Sequence, residues 1–197
     1  AEALFEANQL DTEGTNWAYL PYGPFADLKS YHSWVRENQD FEDPVFLAIV
    51  EKKSGRPLGI ASYLRIHPAE GSIEVGHIHF SPLLQRITSA TEPMFLIMQW
   101  AFEAGYRRYE WKCNALNQAS RRAAQRLGFS FEGIFRQMMI VKGRNRDTAW
   151  FAAIDREWPA LKTAFERYLD EKNFDEEGRP VTSLSSLTAP LLHKKDV

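Results

Sequence analysis

At 197 residues the chain suits one domain, or one domain plus a tail. With 44% hydrophobic and 25% charged residues and a formal net charge of −2, its bulk electrostatics give no reason to expect nucleic acid or a membrane surface as partner. No apolar run is long enough to cross a bilayer. Cys113 is the one cysteine, which excludes an internal disulfide and a cysteine-rich metal site and fits a reducing cytoplasm.

The chain opens Ala-Glu-Ala-Leu-Phe-Glu-Ala, which reads as the inside of a helix, so an earlier segment, including a first strand, is expected ahead of residue 1. Ala1–Gln9 has helix spacing at Leu4 and Phe5, and Gly14–Phe25, rich in aromatics, Gly and Pro, reads as a structured loop. Phe25–Asn38 is predicted helical, with Leu28, Tyr31 and Val35 on one face. Val45–Val50 and Leu58–Ile66 are predicted as a hairpin around a charged turn, and Ser72–Phe80 as the next strand. From there helices and strands alternate. Pro93–Ala104 is a helix apolar on nearly every side and predicted to be buried, with Pro93 in its first turn and Gly105 at its end. Tyr106–Cys113 is a strand, Asn117–Leu127 a helix ended by Gly128, and Phe129–Val141 with Arg146–Ile154 a long hairpin. Glu157–Glu171 is an amphipathic helix whose inner face carries Leu161, Ala164, Phe165, Tyr168 and Leu169. Residues 1–172 form the expected domain, and 173–197 a tail that lies on the surface, packs on a partner or stays mobile.

Hairpins followed by strand–helix alternation give an α/β (α+β) fold, with a mixed, mostly antiparallel central sheet flanked by helices. A cofactor enters such a sheet where the pairing switches. The stretch Gln85-Arg86-Ile87-Thr88-Ser89-Ala90-Thr91-Glu92 is a small, polar loop opening onto an apolar helix. Free backbone N–H groups and the positive end of a helix dipole meet there, a ready site for a phosphate or pyrophosphate. Asn117-Gln118-Ala119-Ser120 opens a second helix one strand later.

These residues together resemble the GNAT superfamily of acyl-CoA-dependent N-acyltransferases, and within it the ribosomal-protein N-acetyltransferase-like branch. Gln85 to Ala90 lies over the signature Gln/Arg-x-x-Gly-x-Gly/Ala, and Ala90-Thr91-Glu92-Pro93 resembles the branch's Ala-Thr-Glu-Ala. Asn117 and Ser120 with Gly128-Phe129 match its Asn-x-x-Ser and Gly-Phe, and Glu74-Val75-Gly76 its Glu-x-Gly. The likeness runs from Ala1 to Ile154 in element order. Thr88 stands where the signature has its first glycine. Ala124 stands where many members carry the tyrosine that serves as general acid.

The resemblance implies the GNAT fold, acetyl-CoA as co-substrate, no metal, and direct attack of an amine on the thioester in a ternary complex. The pyrophosphate would rest on backbone N–H groups of Arg86, Ile87, Thr88, Ser89, Ala90 and Thr91, next to Gln85. The oxyanion would take a backbone N–H from Ile78, His79 or Phe80. Loss of the amine proton at pH 7 costs roughly 4.6 kcal/mol for a lysine of pKa about 10.4, and about 1.4 for an α-amine of pKa about 8. Candidate bases are Glu74, His77, His79 and Glu110. Alternation sets Glu74, Gly76 and Ile78 on one sheet face and the two histidines on the other, where they titrate near neutrality or, as strand histidines more commonly do, are satisfied in the core. Glu74 is the favoured base, with an arginine pair in the sheet as its plain alternative. Ser120 is the group left to protonate or hydrogen-bond the thiolate, or it serves the helix start. Asn117 caps that helix or binds the pantetheine amide. Cys113 lies near the expected thioester or is a small buried hydrophobe. Arg122 or Arg126 would meet the 3′-phosphate, or form a solvated basic face. Arg136 and Asp147 form a cross-strand pair, or stand at the acceptor mouth. Asn16–Phe25, with Trp17, Tyr19, Tyr22 and Phe25, and the Lys142–Arg146 turn would form the acceptor pocket, or the aromatics simply pack the loop.

The expectation is therefore a cytoplasmic acetyl-CoA-dependent N-acetyltransferase acting on a protein N-terminus or a small amine. A second copy of the chain is an admissible partner; nucleic acid and membrane are not. The rival is a non-catalytic acyl-CoA-binding module, which Thr88 and Ala124 keep open.

Overall fold

The computed structural model describes residues 1–85 and 87–196. Two compact units divide the chain: Ala1–Ile66 with Glu74–Ala90, and His67–Ile73 with Thr91–Val197. The strand order in the sheet is β1-β2-β3-β4-β6-β5. Strand β3 is itself divided, Ser72 and Ile73 falling in the second unit and Glu74–Phe80 in the first.

The first unit holds α1 (Glu2–Asn8), α2 (Leu28–Asn38), β1 (Val45–Val50), β2 (Pro57–His67, its last residue across the division) and most of β3 (Ser72–Phe80). Helix α2 starts three residues later than its hydrophobic spacing predicts. The Asp27 side chain accepts the Ser30 N–H at 2.7 Å and closes a capping box, which fixes the first turn. Strands β1 and β2 pair antiparallel with Leu47 opposite Ala61. Leu4, Tyr31 and Ile60 form the buried cluster on which Phe5, Phe25, Trp34, Val35 and Phe46 pack.

The second unit holds α3 (Thr91–Glu103), β4 (Arg108–Asn114), α4 (Gln118–Arg126), β5 (Ser130–Val141), β6 (Arg144–Ile154), α5 (Trp158–Leu169) and α6 (Leu184–Thr188). Strand β6 pairs antiparallel with β4 on one side and with β5 on the other. Its core is aromatic: Phe95 stacks on Phe165, Phe102 on Trp158, and Phe129 meets both Tyr109 and Trp111. Helix α3 is less buried than its composition predicts. Met94, Phe95, Ile97, Met98, Ala101 and Phe102 turn inward, while Leu96 and Trp100, one turn apart, are about half exposed. A helix has one core-facing side whatever its composition.

The end of α4 explains the Gly-Phe pair. The Phe129 N–H bonds to Ala124 O and the Gly128 N–H to Gln125 O, both at 3.0 Å, with Gly128 at φ 89°. This is a Schellman motif, and it delivers Phe129 into the core.

The segment after α5 packs on its own unit. Thr188 Oγ1 bonds to Arg126 O at 3.0 Å, the Phe131 N–H to Lys194 O at 2.9 Å, and Asp196 pairs with Arg121. Among the described residues no helix is long and apolar enough to cross a membrane.

Candidate active site

The candidate groups fall into one set in each unit. In the first, Glu74 is 3% exposed, and both its carboxylate oxygens accept from Arg65 Nη1 at 2.8 Å. The arginine pair of the plain alternative is thus formed. Glu74 shares its side of β3 with Gly76, where an added Cβ would stand 3.7 Å from Glu74 Oε1 and 2.8 Å from Leu64 Cδ2.

The two histidines lie among aromatic rings. His77 stacks on Phe46 with ring centres 5.0 Å apart, and His79 on Trp17 at 3.8 Å. His77 Nδ1 lies 3.0 Å from the buried Ser62 Oγ, while His79 Nε2 has no hydrogen-bond partner among the described residues. Burial pushes both imidazoles down to about 4, with Arg65 adding to the effect at His77. Neither titrates near neutrality, because the rings around them exclude the water that would solvate a cation; of the two readings the sequence allowed, the core one is what the structure shows. His77 has φ 49°, a left-handed break in the strand of the kind a β-bulge makes.

The end of β3 is tied to the loop that follows. Gln85 Nε2 donates to Phe80 O and to Asn16 Oδ1, each at 2.8 Å. The Gln85 side chain is therefore a strut that fixes the loop's first residue. Arg86 lies outside the described residues. Ile87 and Ser89 are exposed, and Thr88–Ala90 make one 3-10 turn that runs straight into α3 at Thr91. Thr88 is not among the residues with positive φ. This turn therefore needs no glycine at its first position. The Ala90 N–H donates to Ile87 O at 3.1 Å, and the amides beside it lead a helix, where N–H groups lack intrahelical acceptors.

In the second unit Asn117 Oδ1 accepts the Ser120 N–H at 3.1 Å, so Asn117 caps α4. Ser120 is partly exposed, and its Oγ accepts Trp111 Nε1–H at 3.0 Å. Trp111 and Cys113 are alternate residues of β4 and are 5% and 6% exposed. Burial pushes the Cys113 thiol up, against a hydrogen bond from Ser120 and the nearby Arg146 and Arg121. It is a thiol rather than a ready nucleophile.

Arg122 is exposed on α4. Arg126 is committed elsewhere: Nη2 donates to Thr91 Oγ1 at 2.8 Å and to Tyr168 Oη at 3.3 Å. It ties α4 to the buried first residue of α3 and is not a free phosphate ligand. Glu110 is held by Arg108 at 2.6 Å and Lys112 at 2.7 Å. Burial alone would push its carboxyl up, but those two cations hold it below the ordinary range.

The aromatic loop packs on itself: Trp17 is 4% exposed and meets Phe25 edge-on at 5.5 Å. Beside it a cavity of about 210 Å³ is lined by Asn8, Asp11, Trp17, Phe25 and Tyr31 among others. At the far hairpin Asp147 takes the Gln137 N–H at 2.7 Å and Asn145 Nδ2 at 3.0 Å, within a register shift of β5. That bulge, and not a simple cross-strand pair with Arg136, organises the turn.

The sequence reading missed Arg65, Trp111 and Asp196, and placed Asn16 in the acceptor loop without its bond to Gln85. Period-two alternation in β4 sets Trp111 beside Cys113 and was a usable signal. The partners of Glu74, Gln85 and Arg121 come from distant segments and leave no local mark.

The family model for an acetyltransferase (GNAT) domain matches residues 1–130. The chain is 45% identical to a GCN5-related N-acetyltransferase from Brucella melitensis, with a TM-score of 0.92 over 95% of this chain and 86% of that one. It is also 45% identical to a probable GNAT-family acetyltransferase from Chromobacterium violaceum, with a TM-score of 0.76 over 81% and 79% of the two chains. The microcin C7 self-immunity acetyltransferase MccE, solved with acetyl-CoA and AMP, shares the fold at 20% identity, with a TM-score of 0.66 over 78% and 86%. No match is found among the curated proteins.

Proposed function

The chain belongs to the GNAT acetyltransferase family, and from that premise we propose that this acyltransferase moves an acetyl group from acetyl-CoA to an amine by direct attack in a ternary complex. The observation that carries the cofactor assignment is the 3-10 turn Thr88–Ala90 at the head of α3, anchored through Gln85 to the end of β3. Leading amides and a helix dipole suit a pyrophosphate. In the proposal the amides of Ile87, Thr88, Ser89 and Thr91 hold it, that of Ala90 being bonded to Ile87 O, and Arg122 meets the 3′-phosphate. A backbone N–H of Ile78, His79 or Phe80 takes the oxyanion. MccE, which binds acetyl-CoA, lends support at the level of fold alone.

For the amine proton the proposal keeps Glu74, in the form its surroundings allow. The Arg65 side chain is 44% exposed and that of Glu74 only 4%. The guanidinium swings to solvent and the carboxylate then accepts the proton. Likeness to the ribosomal-protein branch supports a protein α-amine as acceptor, which also carries the smaller deprotonation cost. The same reading sets the enzyme in the cytoplasm, where its one thiol stays reduced, and admits a homodimer.

A thermal shift with acetyl-CoA tests the cofactor assignment, since a ligand selective for the folded state raises apparent stability. No shift at millimolar acetyl-CoA overturns it. CoA-thiol release with a panel of α-amino peptides and small amines tests the transfer. Glu74→Gln is expected to flatten the alkaline rise in rate; an unchanged profile removes Glu74 from the chemistry.

A further inference from the structure

The Ser120 hydroxyl has a neighbour that determines what it can do. Trp111 Nε1 lies 3.0 Å from Ser120 Oγ. An indole N–H donates and cannot accept. In this contact the serine oxygen must therefore be the acceptor, and its own hydrogen is turned to another partner. Cys113 lies two residues on along β4 and is 6% exposed. The indole is held in turn: Trp111 is 5% exposed and meets Phe129 edge-on at 5.6 Å, with Phe129 fully buried. The Ser120 amide is fixed by Asn117. Both ends of the serine are thus set, while its surface stays partly open. The tyrosine position of the family holds Ala124, which is fully buried and carries no donor.

We propose that Trp111 is a positioning residue for the acetyl transfer, orienting Ser120 so that its O–H donates a hydrogen bond to the sulfur of CoA. The inference rests on the acetyl-CoA reading above. In the step concerned, the amine lone pair forms the C–N bond. The C–S bond then breaks, and its electron pair leaves on sulfur as the thiolate. The ammonium proton passes to the base and on to solvent. A thiolate at neutral pH leaves without full protonation, so Ser120 keeps its proton and stabilises the charge. A donated indole hydrogen bond also makes the hydroxyl a better donor, since linked hydrogen bonds polarise one another.

The test uses the CoA complex of the full chain and needs no knowledge of the acceptor. The thiol of bound CoA is titrated by its thiolate absorbance, with the acetyl-CoA complex as the blank that cancels Cys113. Trp111→Phe keeps the ring and removes the N–H; it is expected to raise the thiol's pKa by roughly half a unit to one unit, the size of one ordinary hydrogen bond. Ser120→Ala is expected to raise it at least as far, and adding Trp111→Phe to Ser120→Ala to change nothing more. A Trp111→Phe enzyme that binds CoA with an unmoved thiol pKa overturns the inference, and so does an equal shift in the Ser120→Ala background. Absence of CoA binding by the unaltered protein, read by calorimetry, overturns the acetyl-CoA reading itself. If Trp111→Phe fails to fold, Ser120→Ala and Ser120→Cys carry the test: an unshifted thiol in both overturns the inference.

Discussion

Around β3 two imidazoles are sealed among rings, whereas at the start of α4 a partly exposed hydroxyl accepts a buried indole N–H. The histidines have the more versatile side chains by chemistry alone. Their surroundings remove that versatility by holding them neutral. Serine is a poor acid by itself, yet its neighbours fix which way its proton points. A side chain's surroundings, more than its type, therefore mark the better candidate for handling charge.

The sharpest way to break this comparison is acid. His79 titrates at about 4 in the folded chain, below the ordinary value of about 6.5 in an unfolded one. The unfolded chain therefore binds the extra proton first as pH falls. Stability tied to His79 is complete above about 6.5 and is lost progressively down to about 4, by roughly 2–3 kcal/mol. His77 acts in the same sense over the same window. Denaturant midpoints across that range are expected to fall steeply, and His79→Phe, which keeps a ring on Trp17, to flatten the slope. A slope that His79→Phe leaves unchanged means that this imidazole is solvated after all.

Gly128→Ala tests the support beneath the α4 network and is the next largest effect. The added methyl meets φ 89° and stands 2.3 Å from Leu161 Cδ2, so backbone and α5 must both move. A loss of roughly 2 kcal/mol or more is expected, read as a fall in Tm. The Gly-Phe pair was legible in the sequence as a motif, and its reason is this cap. Nearly every strand and helix was legible too, because period and punctuation survive in a single chain. Less legible was what each polar group is bound to. Glu74 looks the same in sequence whether free or gripped by Arg65, nine residues away on another strand. Gln85 looks like a phosphate ligand until Asn16 and Phe80 O claim it. The same holds for the last residues, whose polar composition leaves surface packing and mobility equally open until Asp196 returns to Arg121 across 75 positions. Local pattern encodes elements; long-range pairing is decided by the assembled fold.

That last contact gives a smaller test. Asp196→Asn leaves the Arg121 guanidinium, about one-eighth exposed, without its carboxylate. A loss of about 1 kcal/mol is expected, diminished at high salt. A loss that ignores salt would point to packing of 189–196 instead of charge.

The smallest effect separates two arginines on one helix. Arg126 donates to Thr91 and Tyr168, and Arg122 is exposed. Arg126→Ala is expected to lower Tm by a few degrees, since it removes hydrogen bonds from the buried head of α3. Arg122→Ala is expected to leave Tm unmoved and to weaken acetyl-CoA binding by about three- to fivefold, an exposed charge pair being worth less than about 1 kcal/mol. That weakening should vanish at high salt and be absent with dephospho-CoA, which lacks the 3′-phosphate. If Arg122→Ala binds both forms as the unaltered protein does, the basic side of α4 is a solvated face, and the 3′-phosphate is held elsewhere.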